Sequence, residues 1–186
     1  MEKRFLKIKL IMGLGNPGPA YENTYHNAGK LMTDYLSEIM DSGGSGKWVN
    51  SKGFKSFRCG EFILVKPVGY MNESGRGAKL ALKAFGIKTD SLAVAHDDSD
   101  LEIGEYKISF GRGSAGHRGV QSVIESVGTK NFWRLRVGIR PKAGLSAVVR
   151  RAKAEEFVLK KITNYDRKLM TSVFEKASEE VFGGVN

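Results

Sequence analysis

Short extended patterns alternate with amphipathic helical patterns along most of the chain. Residues 7–12 place Ile8, Leu10 and Met12 on one side, which predicts a first strand, and residues 30–39 space their apolar side chains along one face of a helix. Further strands are predicted near 54–58, 62–66, 92–96, 106–110 and 134–140, and further helices near 74–85, 120–127 and 164–182. Strands joined by helices form mostly parallel sheets covered on both faces. We therefore predict one three-layer α/β domain over residues 1–186, with a mixed, mostly parallel sheet.

The length of the chain, its apolar runs and its cysteine content indicate the class of protein and its compartment. A chain of 186 residues is the size of one domain and can bury a substantial core. Lys7 and Lys9 interrupt the apolar stretch of a secretory signal, and no apolar run approaches the roughly 18 residues of a membrane helix. The single Cys59 cannot form an intramolecular disulfide, which is compatible with a reducing compartment. We expect a cytoplasmic protein with no membrane partner, and a monomer by default.

The positive charge of the chain is concentrated in one segment. The net charge is +10, and residues 107–153 contain eleven Lys and Arg against one acid, Glu125. The basic residues are Lys107, Arg112, Arg118, Lys130, Arg134, Arg136, Arg140, Lys142, Arg150, Arg151 and Lys153. Such a segment favours a phosphate-backbone partner, because each cation placed on a phosphate releases counterions. A generic solvated basic face is the alternative.

A glycine-rich loop follows the first predicted strand. Gly13, Gly15 and Gly18 have the spacing of a dinucleotide-binding loop, but Pro17 and Pro19 prevent the direct passage from glycine into helix that this motif needs. No Walker phosphate loop and no G-x-S-x-G nucleophile motif occur in the sequence. A cofactor-binding oxidoreductase is therefore a weak alternative, which tight dinucleotide binding would support.

The three histidines do not have the spacing of a metal site. His26, His96 and His117 are far apart in the sequence, and no H-x-x-E-H or Cys-rich pattern occurs. His96 with Asp97 and Asp98 is the one local group that could bind a cation. We predict neither a metal nor a cofactor.

One histidine and one acidic cluster each follow a predicted strand. His26 lies on the loop after the first strand, and Asp97, Asp98 and Asp100 lie on a predicted loop after the strand at 92–96. Functional residues of α/β proteins lie on loops at the carboxyl ends of the strands, so we expect these two loops to lie at the same edge of the sheet. A neutral imidazole can take a proton from water, and a carboxylate on its other nitrogen fixes the tautomer. A structural histidine and a solvated acidic loop are the alternatives.

Two amide side chains belong to the same group of loops. Asn16 and Asn72 could each hydrogen-bond a peptide carbonyl or a developing oxyanion without adding charge. The structural alternatives are a turn at Asn16-Pro17 and a helix cap at Asn72.

Taken together, these segments resemble the bacterial-type peptidyl-tRNA hydrolases. The similar segments, in the family's order, are GLGNPGPAYENTYHNAG (13–29), KPVGYMNESG (66–75), VAHDDSDLEIG (94–104), GRGSAGHRGVQSVIESVG (111–128) and FWRLRVGIRP (132–141). The resemblance implies a single α/β domain that hydrolyses, without a metal, the ester joining a peptide to the 3′ ribose of tRNA. It also implies an abbreviated C-terminal helical cover, since the chain ends at Asn186.

The resemblance also implies residue roles. His26 matches the family's catalytic base, and Asp97 matches the carboxylate that supports it. Asn16 matches the residue associated with preferring a blocked α-amino group. The other matches to substrate-contacting positions are Tyr21, Tyr70 and Asn72, and we expect Asn72 to steady the oxyanion.

The basic residues complete the expected substrate site. We expect phosphates of the tRNA acceptor arm to contact Lys107, Arg112, Arg134 and Arg136. Arg118 stands where the family usually has Asn, and a guanidinium can donate but cannot accept hydrogen bonds. Our hypothesis is that Arg118 contacts the terminal phosphate or pairs with the acidic cluster. The alternative function is a non-catalytic RNA-binding module on the same fold.

Overall fold

A computed structural model describes residues 7–41, 44, 46–141 and 157–183 of the chain. Seven strands and four α-helices lie in these ranges. In chain order they are β1 (Leu10–Gly13), α1 (Ala28–Met40), β2 (Val49–Ser51), β3 (Phe54–Cys59), β4 (Phe62–Pro67), α2 (Ser74–Phe85), β5 (Leu92–Glu102), β6 (Tyr106–Phe110), α3 (Arg118–Val127), β7 (Trp133–Arg140) and α4 (Asn164–Phe182). Outside the described residues lie Lys142, Arg150, Arg151, Lys153 and residues 184–186.

The strands form one mixed sheet in the order β2-β3-β4-β1-β5-β7-β6. The four central strands, β4, β1, β5 and β7, run parallel to one another. The antiparallel partners lie at the edges, β2 and β3 on one side and β6 on the other. The prediction of a mixed, mostly parallel sheet is confirmed.

Helices cover both faces of the sheet. Helices α1 and α4 pack on one face, around a core that includes Met32, Val137 and Phe174. Helices α2 and α3 pack on the other face, around a core that includes Ala81 and Val123. The central strand β1 is therefore buried on both sides, and this is why its sequence is a continuous apolar run.

Strand β1 and helix α1 approach each other closely near the carboxyl edge of the sheet. A Cβ atom on Gly13 would lie 2.2 Å from the carbonyl oxygen of Gly29, so only glycine allows this approach. Leu14 donates its backbone N–H to the Ala95 carbonyl at 2.9 Å, and Lys30 donates its own to the Leu14 carbonyl at 3.0 Å. The start of α1 is thus fixed against the end of β1.

The predicted acidic loop is wrong, because the strand there continues through it. Strand β5 runs to Glu102, and Asp97 and Asp98 pair with Val137 and Gly138 of β7. Both aspartates are buried. Their charges are tolerated in a buried strand because basic or imidazole N–H groups bind them, as described below.

None of the described helices is both long and apolar enough to cross a membrane.

Candidate active site

Four segments meet at the carboxyl edge of the parallel strands. They are the loop after β1, a 3-10 turn at Tyr25–Asn27 before α1, the second half of β5, and the start of α3. A second 3-10 turn, Met71–Glu73, follows β4 and leads into α2. The expected meeting of the first loop with the residues after 96 is observed, although the latter belong to a strand.

His26 and Asp97 form a hydrogen-bonded pair at the centre of this edge. His26 Nδ1 lies 2.9 Å from Asp97 Oδ1, and the side chains are 16% and 4% exposed. With its Nδ1–H donated to the carboxylate, the imidazole keeps Nε2 as the nitrogen able to accept a proton. The backbone N–H of His26 donates to the Val158 carbonyl at 2.8 Å, which fixes the turn that carries the ring.

A second histidine, His117, binds the same oxygen of Asp97. Its Nε2 lies 3.0 Å from Asp97 Oδ1. Its Nδ1 accepts from the backbone N–H groups of Gly119 and Val120 at 3.1 and 3.2 Å, so the ring proton must be on Nε2. His117 therefore donates to Asp97. Sequence analysis assigned it no role, although its place directly before a predicted helix, within a matching segment, was a usable signal.

The contact between His26 and Asp97 shifts the pKa of both residues. Burial disfavours the imidazolium of His26, but the charge of Asp97 and the hydrogen bond to it outweigh burial and raise the pKa of His26. The charge of Arg118 acts in the opposite direction and lowers that pKa. Burial alone would raise the pKa of Asp97, but His117 and His26 hold it well below its usual range. Asp97 is therefore a carboxylate at neutral pH.

The third histidine, His96, is buried in the core beneath the sheet edge. His96 is 1% exposed, and its Nδ1 lies 2.6 Å from the carbonyl oxygen of Asp97. Burial, followed by the charges of His117 and Arg134, lowers its pKa well below the usual value. His96 is therefore neutral and supports the strand that carries Asp97.

A metal ligand set can be drawn among these residues. The ligand atoms of His26, Asp97 and His117 lie within 4.8 Å of one another. However, a metal on Nε2 of His117 would require the ring proton to move to Nδ1, which faces the backbone N–H groups of Gly119 and Val120. The local hydrogen bonds thus favour a proton-transfer site over a metal site.

Asn16 is held in one orientation by Met71 and Asn27. Its Oδ1 accepts from the Met71 N–H at 2.9 Å, which assigns the amide nitrogen to the other side. Its backbone N–H donates to Asn27 Oδ1 at 2.8 Å, and its carbonyl accepts from Asn27 Nδ2 at 3.1 Å. The Nδ2 group of Asn16 is thereby left as a hydrogen-bond donor.

The remaining predicted substrate residues line the same edge. The rings of Tyr21 and Tyr70 meet edge to face with centroids 6.5 Å apart, and Tyr70 is 55% exposed. Asn72 is exposed within the second 3-10 turn, next to Met71. Tyr70 and Asn72 thus flank Met71, whose N–H binds the Asn16 amide oxygen, and Tyr21 contacts Tyr70.

Comparison with known proteins identifies the family. A sequence model of the peptidyl-tRNA hydrolase family matches residues 10–183. The chain is 37% identical over 174 residues to the peptidyl-tRNA hydrolase of Aquifex aeolicus (strain VF5), covering 92% of this chain and 87% of that protein. It is 42% identical over 147 residues to that of Geotalea uraniireducens (strain Rf4), covering 75% and 74%. The chain belongs to the peptidyl-tRNA hydrolase family.

A solved structure agrees with the family assignment. The crystal structure of peptidyl-tRNA hydrolase from Acinetobacter baumannii superimposes with a TM-score of 0.80 at 28% identity, covering 97% of this chain and 91% of that chain. The described residues therefore have the α/β fold of the family.

The basic residues expected to bind the hydrolase's tRNA fall into two groups. Lys107 and Arg112 are exposed, on β6 and on the loop that follows it. Arg136 is directed inward, with Nε 2.5 Å from Oδ2 of the buried Asp98.

Arg134 lies away from solvent, and its expected phosphate contact is wrong. It is 2% exposed, and its guanidinium donates to the Gly113 carbonyl. The predicted basic face of β7 fails at this position because the loop that carries Gly113 covers it.

Arg118 begins α3 next to His117 and is exposed. Its permanent charge lies near enough to lower the pKa of His26. Asp97 and Asp98 are already bound by His26, His117 and Arg136.

Proposed function

We propose that the chain hydrolyses the ester between a peptide and the 3′ ribose of tRNA, with His26 as general base. The observation that carries this proposal is the 2.9 Å hydrogen bond between His26 Nδ1 and Asp97 Oδ1. His117 binds the same carboxylate oxygen. Nε2 of His26 accepts a proton from water, and the resulting hydroxide adds to the ester carbonyl. The tetrahedral intermediate then expels the ribose 3′ oxygen, which takes the proton from His26. No metal or cofactor is needed for these steps.

The substrate roles follow from hydrogen-bonding chemistry. The free Nδ2 group of Asn16 can donate to the carbonyl of an acylated α-amino group, whereas an unblocked ammonium offers it only donors. Asn72, exposed in the adjacent turn, is the side chain we assign to the oxyanion. Tyr21 and Tyr70 supply aromatic surface next to that turn.

For the RNA partner, we propose that Lys107 and Arg112 contact phosphates of the tRNA acceptor arm. Both are exposed, Lys107 on the edge strand β6 and Arg112 on the loop after it, and contacts to phosphates carry no sequence preference. We further propose a single cytoplasmic domain that acts as a monomer. One continuous sheet with an apolar layer on each face supports the single domain.

A non-catalytic RNA-binding module is the second candidate function. Arg118 favours it, because a guanidinium cannot accept the hydrogen bonds that an amide accepts from water or peptide. The geometry at His26 and Asp97 favours hydrolysis instead, since binding alone does not require an imidazole placed on a buried carboxylate.

The test is release of the acyl group from N-acetyl-aminoacyl-tRNA at catalytic enzyme concentrations, with unblocked aminoacyl-tRNA in parallel. Hydrolysis of the blocked ester at the higher kcat/KM supports the proposal. Salt-dependent binding of tRNA without release would support the RNA-binding module.

A further inference from the structure

Lys30 lies directly beneath the loop that carries Asn16. It is the third residue of α1, and its ammonium donates to the main-chain carbonyl of Asn16 at 3.0 Å. The same carbonyl accepts from Asn27, and the aliphatic stem of Lys30 packs under Gly15. A long cationic side chain is therefore tied to the main chain of the residue that we assign to the substrate α-amino group.

The charge on Lys30 has no acidic partner of its own. Among the residues that the structure describes, no carboxylate forms an ion pair with it, and its hydrogen bond is to a neutral carbonyl. Lys66, at the end of β4, instead takes Asp34 as its ion-pair partner and lies 3.9 Å from the centroid of the Trp48 ring. Positive charge is thus left over next to the Asn16 loop.

Neighbouring cations lower the pKa of Lys30. Burial lowers its pKa to about 8, with repulsion from Lys66 and Lys55 added and attraction from Asp34 opposing. At pH 6.5 the side chain is still protonated. Because the group is half-buried, salt and water screen its field less than that of a fully exposed lysine.

We propose that Lys30 is a specificity-determining residue, whose charge disfavours acyl groups that carry a free α-ammonium. This inference rests on the proposed function, in which Asn16 receives the blocked α-amino group. An N-acylated amine is neutral, but an unblocked amine below its pKa is a cation and meets a like charge beside Asn16. Lys30 therefore adds electrostatic rejection to the hydrogen-bond mismatch at Asn16.

Three esters on the same tRNA separate charge from shape. N-acetyl-phenylalanyl-tRNA is blocked and neutral, phenylalanyl-tRNA is unblocked and cationic, and phenyllactyl-tRNA is unblocked but neutral because a hydroxyl replaces the amine. The kcat/KM for each is measured at pH 6.5 and low salt. The variants are Lys30→Met, which keeps the length without the charge, and Lys30→Arg, which keeps the charge. Lys83→Met, an exposed lysine in the last turn of α2, is the matched control.

The deciding quantity is the ratio of kcat/KM for the phenylalanyl ester to that for the phenyllactyl ester. We expect Lys30→Met to raise this ratio about fivefold, the size expected for a like-charge pair roughly 10 Å apart at an intermediate dielectric. Lys30→Arg and Lys83→Met leave it within about twofold of wild type.

Two other results would overturn the inference. If Lys30→Met lowers the rates for all three esters in parallel, Lys30 only supports the loop and its charge does not select substrates. An unchanged ratio with unchanged rates would show that Lys30 has no part in specificity. Release from none of the esters by the wild-type chain would instead overturn the proposed function, and the role of Lys30 with it.

Discussion

His26 and His117 hydrogen-bond to the same atom, Oδ1 of Asp97, at 2.9 and 3.0 Å. The two rings lie 5.3 Å apart and come from opposite sides of the sheet edge, one before α1 and one before α3. His117 is held by the first backbone N–H groups of its helix, so in the proposed mechanism it keeps the carboxylate in place while His26 exchanges protons. This division of work between the two histidines leads to the predictions that follow.

The Asp97→Asn variant should retain its fold and lose most of its activity. The amide cannot stabilise the imidazolium that forms when His26 takes a proton, and we expect kcat to fall about 10²- to 10⁴-fold. The pKa of His26 should fall as well, because the Asp97 charge raises it in the native site. Single-turnover release from a blocked ester measures both effects across pH. Asp100→Asn, on the same strand but exposed, is the control and should be active.

The His117→Ala variant tests whether His117 positions Asp97. Without this donor the carboxylate can shift, and a misplacement of about 1 Å costs up to about 10²-fold in rate. In His117→Gln an amide N–H can still donate to Asp97, so part of the rate should return. If both variants match wild type in kcat and in pH profile, His117 does not position the carboxylate.

The Arg118→Asn variant should shift the acid limb of the pH profile. The charge of Arg118 lowers the pKa of His26, so its removal raises that pKa, and a larger fraction of His26 is protonated and inactive at a given acidic pH. The half-point of kcat/KM on the acid side is therefore expected at higher pH than in wild type. Arg118→Lys retains the charge and the wild-type limb. An acid limb that moves to lower pH in Arg118→Asn would contradict this account.

The Lys107→Ala and Arg112→Ala variants should each weaken tRNA binding to a similar degree for all tRNA species. Each lost phosphate contact reduces the slope of log affinity against log salt by about one. Titration of two different tRNAs at several salt concentrations provides the slopes. Lys88→Ala, an exposed lysine before β5, is the control. Arg136 is unsuitable for this test, because its removal would leave the buried Asp98 without its ion pair.

Local patterns predicted the elements whose ends are set by local residues. Helix α2 has the predicted bounds because Gly86 adopts a left-handed conformation that ends it. The extension of β5 through Asp97 and Asp98 could not be predicted in this way. Asp97 and Asp98 can lie in a buried strand only because His117 and Arg136 bind their carboxylates. Both partners are distant from them in the sequence.

The candidate site was predicted in part. Resemblance to the family supplied His26, Asp97 and Asn16, which the structure brings together at one sheet edge. Alternation along β7 predicted that Arg134 faces solvent, but the side chain is buried. The prediction failed because a pattern of period two cannot show that a loop covers the polar face. No sequence pattern indicated a role for Lys30, because its contact with Asn16 forms only when α1 packs against β1.

In the proposed function, His26 is the base of a metal-independent esterase. The most direct measurement is release of N-acetyl-amino acid from blocked tRNA in EDTA by wild type and by His26→Ala, with tRNA affinity measured on the same samples. We predict that wild type is fully active in EDTA, while His26→Ala binds tRNA normally and is at least about 10²-fold slower. Activity that EDTA abolishes and a metal restores would overturn metal-independent hydrolysis, and a His26→Ala variant as fast as wild type would overturn the role of His26 as base.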